Sequence, residues 1–114
     1  MFEQGQHDEV DATEAERLRG RGAVLLDVRE DDEWAVGHAP AAVHVPLGQV
    51  GDVVERFRDE TVLAICRSGG RSAQAVEVLA AAGVAARNVA GGMQGWAAAG
   101  LPVVRDDGSP GAVA

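Results

Sequence analysis

The strongest constraint on this chain is a junction. Thr61-Val62-Leu63-Ala64-Ile65 is a short apolar run with no helical period, and it passes without interruption into Cys66-Arg67-Ser68-Gly69-Gly70-Arg71-Ser72. Beyond that loop Val76, Leu79 and Ala82 share one helical face, and Gly83 ends the segment. A buried strand, a glycine turn and a helix in direct succession form one unit of a parallel sheet. Such sheets carry their sites at the carboxyl ends of the strands.

The rest of the chain repeats this alternation. Val24 to Val28 and Val43 to Val45 read as short strands, and a last one lies near Arg87-Asn88-Val89. Between them, Thr13 with Glu16 makes the better of two capping boxes (Asp11 with Glu14 is the other), starting a helix to about Leu18. Glu30 to Val36 suits a short acidic helix with Trp34 turned inward, and Leu47, Val50, Val53, Val54 and Phe57 fall at helical spacing. A small Ala-rich helix follows Gly91-Gly92-Met93-Gln94-Gly95-Trp96. The class is α/β with a mainly parallel sheet. Residues 1–9 read as a flexible tail, 10–104 as one domain, and the Asp/Gly/Ser/Pro-rich 105–114 as a disordered tail.

Charge narrows the function. The net charge of −8 argues against nucleic acid and anionic membranes as partners. Its distribution is uneven: residues 1–60 hold fifteen acids and six arginines, whereas 61–105 hold one acid, Glu77, and four arginines. A positive region therefore surrounds Cys66 in an acidic chain. One cysteine permits no internal disulfide, the start has no signal-peptide pattern, and no apolar run spans a bilayer, so a cytoplasmic location is expected.

Cys66 is the candidate nucleophile. At the end of a strand it faces the open N–H groups of the following helix, which favour an anion and so lower a thiol pKa. Gly69 and Gly70 let successive N–H groups converge into a nest. Arg67 and Arg71 add forked donors suited to an oxyanion. The plainer alternative is a buried small hydrophobe before an ordinary turn, the usual fate of an isolated cysteine.

These segments resemble the rhodanese-like family in its single-domain form. Cys66 to Ser72 is similar to the family's active-site loop. Leu26-Asp27-Val28-Arg29 with Glu33-Trp34 and Gly37-His38-Ala39-Pro40-Ala41-Ala42 is similar to its first signature. Gly91 to Trp96, with Leu101-Pro102-Val103 following, is similar to its last. The matches keep family order over about Val10 to Val104. Ala41 stands where the family usually has Gly, and His44 where it often has Asn.

The resemblance implies a three-layer rhodanese-like fold, a five-stranded parallel sheet flanked by helices on both faces. It also implies a sulfurtransferase in which Cys66 takes sulfane sulfur from thiosulfate or a similar donor as a persulfide. The sulfur then passes to a thiol, cyanide or a protein acceptor, in two half-reactions. Arg67, Ser68, Gly69, Gly70, Arg71 and Ser72 are the expected substrate-binding loop. No cofactor or metal is expected, since no Cys-x-x-Cys or close His pair is present. Two alternatives remain: a non-turnover persulfide carrier or docking module, and a phosphatase or arsenate reductase. Against the second, four residues separate Cys66 from Arg71, where phosphatases of this fold have five.

Other residues carry structural expectations. Asp27 and Arg29 support the loop by ion pairing, with Arg29 reaching Glu33 or a neighbour. His38 lies in a turn and is structural, because a nest-stabilised thiolate needs no base. His44 is a strand residue and His7 a tail residue. Trp34 and Trp96 are expected core anchors, and Glu30 to Glu33 a solvated helix start.

Overall fold

A computed structural model describes residues 9–114. The expected tail over 1–9 therefore lies outside the described residues except for Glu9, and His7 with it. Five parallel strands form one sheet: β1 (Glu9–Val10), β2 (Val24–Asp27), β3 (Val43–His44), β4 (Thr61–Ile65) and β5 (Ala85–Val89), in the order β1-β5-β4-β2-β3. The helices are α1 (Ala12–Gly20), α2 (Asp31–Val36), α3 (Leu47–Val50), α4 (Gly70–Ala81) and α5 (Gly92–Ala98), with a 3₁₀ helix over Gly51–Phe57.

β4 runs through the centre, and its side chains alternate between two cores. Val62, Ala64 and Cys66 join Leu26, Val50, Phe57 and Leu79 on one face. Leu63 and Ile65 join Leu25, Val89, Met93 and Trp96 on the other. Burial on both faces is why the run reads as continuous rather than alternating hydrophobicity. Helices cover both faces, which completes the expected three layers. None of the described helices is long and apolar enough to cross a membrane.

Several local expectations change. β1 has two residues, too few for any periodicity, and owes its existence to pairing with Asn88 and Val89 of β5. Asp11, not Thr13, caps α1, accepting the Glu14 N–H at 2.8 Å. The helical run from Leu47 splits at Gly51 into α3 and the 3₁₀ helix, where glycines and the β-branched Val53-Val54 pair weaken the α form.

The segment 105–114, expected as a disordered tail, folds back on the domain. Val104 bridges both His38 and Pro110, and Ala112 N–H donates to the Val36 carbonyl at 3.1 Å. Val113 packs against the second core. Composition reads Asp107-Gly108-Ser109 as looseness, whereas these residues close a turn through Arg105 and the Asp107 carboxylate, and Gly111 and Ala112 beyond it bond to Val103 and Val36.

Trp34 is half-buried and packs on histidines instead of entering the core. His38 stacks on it at 3.5 Å between ring centroids and His44 at 4.7 Å, both nearly parallel to the indole. Trp96 is the core anchor expected, buried with its indole N–H on the Pro102 carbonyl.

Candidate active site

The connections after β2, β4 and β5 meet at the carboxyl end of the sheet. Cys66 leaves β4 there, 1% exposed. Gly69 adopts φ +121°, a conformation open to glycine, and this turn aims its N–H at Cys66 Sγ, 3.1 Å away. The Ser72 hydroxyl lies 3.2 Å from the same sulfur. Burial pushes the Cys66 thiol up, but the Ser72 hydroxyl and the N–H groups of Ser72, Gly69 and Ser68 outweigh it, and the thiol lies below its ordinary value. The N-terminus of the twelve-residue α4 adds its dipole in the same direction.

Both loop arginines hold partners outside the cradle, and Arg71 lies close enough to Cys66 to feel its charge. Arg71 forms a bidentate pair with Glu33 of α2, at 2.6 and 2.9 Å. That pairing holds the Glu33 carboxyl down to about 2 and raises the Arg71 guanidinium further still. Arg67 is exposed and donates from Nε to the main-chain oxygen of Ala114 at 2.7 Å.

Asp27 and Arg29 form an ion pair with each other. Both are 0% exposed; Nε and Nη2 of Arg29 meet the Asp27 carboxylate at 2.9 and 2.7 Å. Nη2 also donates to the Gly37 carbonyl, and Nη1 to that of Glu33. Arg29 thus ties the second connection together, reaching Glu33 through the main chain. His38 serves the structural part expected: Nδ1 faces the Ala39 carbonyl and Nε2 the Asp106 carboxylate, at 3.0 and 2.9 Å.

The loop is held from behind by α5. Met93 N–H donates to the Cys66 carbonyl at 2.7 Å and Gln94 N–H to that of Arg67 at 3.0 Å. Gly92, at φ +56°, permits this approach, since a Cβ there would overlap the Cys66 and Arg67 main chain. Sequence reasoning missed Asn88, which is buried on β5 and hydrogen-bonded to both Ser72 and the Gly69 carbonyl. Set between Arg87 and Val89 in β5, it carries no spacing that points to the Cys66 loop. Among the described residues no group of three or more His, Cys, Asp or Glu could hold a metal ion.

Fold and loop together define a class: a parallel α/β domain presenting one cysteine to a main-chain anion cradle. The Rhodanese-like domain model matches residues 11–99, and the chain belongs to that family. It is 42% identical over 73 residues to YtwF of Bacillus subtilis, spanning 63% of this chain and 71% of that protein. It is 34% identical over 107 residues to thiosulfate sulfurtransferase 16, chloroplastic, of Arabidopsis thaliana, spanning 82% and 89%. The crystal structure of a rhodanese-related protein from Thermoplasma volcanium superposes with a TM-score of 0.77 at 32% identity, over 84% of this chain and 96% of that one.

Proposed function

We propose that this chain is a rhodanese-type sulfurtransferase that carries sulfane sulfur as a Cys66 persulfide, with thiosulfate or a similar anion as donor. One observation carries the reading: Sγ sits among the N–H groups of Ser68, Gly69 and Ser72, so negative charge on sulfur is stabilised without a neighbouring base. The Cys66 thiolate attacks the outer sulfur of thiosulfate. A new S–S bond forms, the donor's S–S bond breaks, and sulfite departs with the electron pair. A nucleophilic acceptor such as cyanide then takes the outer sulfur and returns the electron pair to Cys66.

The loop's size favours sulfur over phosphorus. Four residues lie between Cys66 and Arg71, and both arms of the Arg71 fork are bound to Glu33. A ring this short suits one outer sulfur atom better than a tetrahedral phosphoryl group.

Intact-mass spectrometry after mixing with thiosulfate tests the proposal. One added sulfur atom is expected in the wild type and none in Cys66→Ser. Cyanide should remove it and release thiocyanate. Loading that cyanide cannot discharge would instead indicate a carrier that yields its sulfur to a protein partner. Cys66-dependent hydrolysis of an aryl phosphate without persulfide would overturn the reading.

A further inference from the structure

Asn88 is the buried polar side chain at this site that the reaction leaves without a part. It lies on β5, 5% exposed, behind the Cys66 loop. Its amide orientation is dictated by its neighbours. The Gly69 carbonyl, 3.1 Å from Nδ2, can only accept, and so can the Glu9 carboxylate oxygen 3.4 Å from the same nitrogen. Nδ2 must therefore face both, which leaves Oδ1 facing the Ser72 hydroxyl at 2.5 Å.

A serine hydroxyl has one proton to donate. Three acceptors surround Ser72 Oγ: Asn88 Oδ1 at 2.5 Å, Cys66 Sγ at 3.2 Å and the Gly69 carbonyl at 3.3 Å. The shortest contact is to Asn88. With Cys66 as a thiol, every group is satisfied: S–H donates to Ser72 Oγ, and the Ser72 O–H donates to Asn88. With Cys66 as a thiolate the sulfur has nothing to give and attracts the hydroxyl proton itself. Asn88 Oδ1 then loses its donor inside the protein, which is costly.

We infer that Asn88 is a positioning residue for the Cys66 nucleophile, competing with the sulfur for the single Ser72 proton and thereby setting how readily Cys66 ionises. This rests on the reading of Cys66 as the sulfur-transfer nucleophile and adds a switch to it. The hydroxyl turns to the sulfur when the thiolate forms. It turns back to Asn88 when the charge moves to the outer sulfur of the persulfide. The charged groups around the site have other partners: Arg71 of α4 pairs with Glu33 of α2, Asp27 with Arg29, Arg67 faces the Ala114 main chain, and Glu9 of β1 meets the far side of the Asn88 amide.

The pH dependence of Cys66 alkylation by iodoacetamide reads ionisation directly and requires no sulfur transfer. Asn88→Leu should lower the midpoint by about half a unit, giving about threefold faster alkylation below it. Ser72→Ala should raise the midpoint, and adding Asn88→Leu to it should change nothing further. A midpoint in Asn88→Leu that stays or rises overturns the inference, as does an equal fall without Ser72. Should Asn88→Leu not fold, the wild type decides by NMR. The Asn88 side-chain amide resonances should move at the Cys66 midpoint and not in Cys66→Ala; immobile resonances overturn the inference. Failure of thiosulfate to load Cys66 would sink the sulfur-transfer reading while leaving this coupling measurable.

Discussion

The connections after β2 and β4 lie side by side and use charge in opposite ways. The first concentrates it in side chains that neutralise one another: Asp27 and Arg29 are fully buried as a pair. The second turns main-chain N–H groups on Cys66 Sγ, while its arginines bond to Glu33 and to the Ala114 main chain. One connection is a closed ionic knot and the other an open electrostatic socket. They touch where Glu33 takes Arg71. Side-chain charge here secures position, while the cradle for an anion on sulfur is made of main-chain N–H groups and the Ser72 hydroxyl.

The contrast breaks most severely at the knot. Asp27→Ala or Arg29→Ala strands a buried charge, and should cost about 3–5 kcal/mol in denaturant unfolding. That is a large share of a small domain's stability. The next largest effect should come from the socket's support. Gly92→Ala drives a Cβ into the Cys66 and Arg67 main chain at a left-handed position. Persulfide loading, followed by stopped-flow with thiosulfate, should slow about tenfold, equivalent to about 1.4 kcal/mol.

At the seam the expected effects are smaller. The Glu33 carboxyl, held near 2 against an ordinary 4.5 by its bond with Arg71, favours the folded state above pH 4.5. That contribution is lost as pH falls from 4.5 through about 2, and Glu33→Gln should remove it from the acid unfolding curve. The same change frees Arg71, and KM for thiosulfate should fall by up to about fivefold, the scale of a partly exposed ion pair. Arg67→Ala should matter least, with steady-state KM within about twofold of wild type, because its guanidinium faces Ala114 and not the sulfur.

What the sequence made legible was local. The β4 run, the Gly69 turn and the α4 face are contiguous, so periodicity and glycine alone recover the unit that carries Cys66. The family motifs add the five-stranded parallel sheet around it, though not the order of its strands. What stayed hidden joins distant positions. Glu33 meets Arg71 across α2 and α4, and Asn88 meets Ser72 across β5 and α4; neither pairing leaves a spacing to read. The same holds for Asp106, which links Trp34 and His38 from a segment whose composition suggests only a tail. Trp34 lay in a helix of the right length, but its ring rests between two histidines that one-dimensional pattern assigns to a turn and a strand.

The grip of α5 on the Cys66 and Arg67 carbonyls has a consequence for how the molecule comes into being. A growing polypeptide produces Cys66 well before Met93 and Gln94. Until those residues emerge and dock, the Cys66 and Arg67 carbonyls lack the two donors that α5 supplies. The support of the loop is therefore completed late in biosynthesis, when α5 closes behind it.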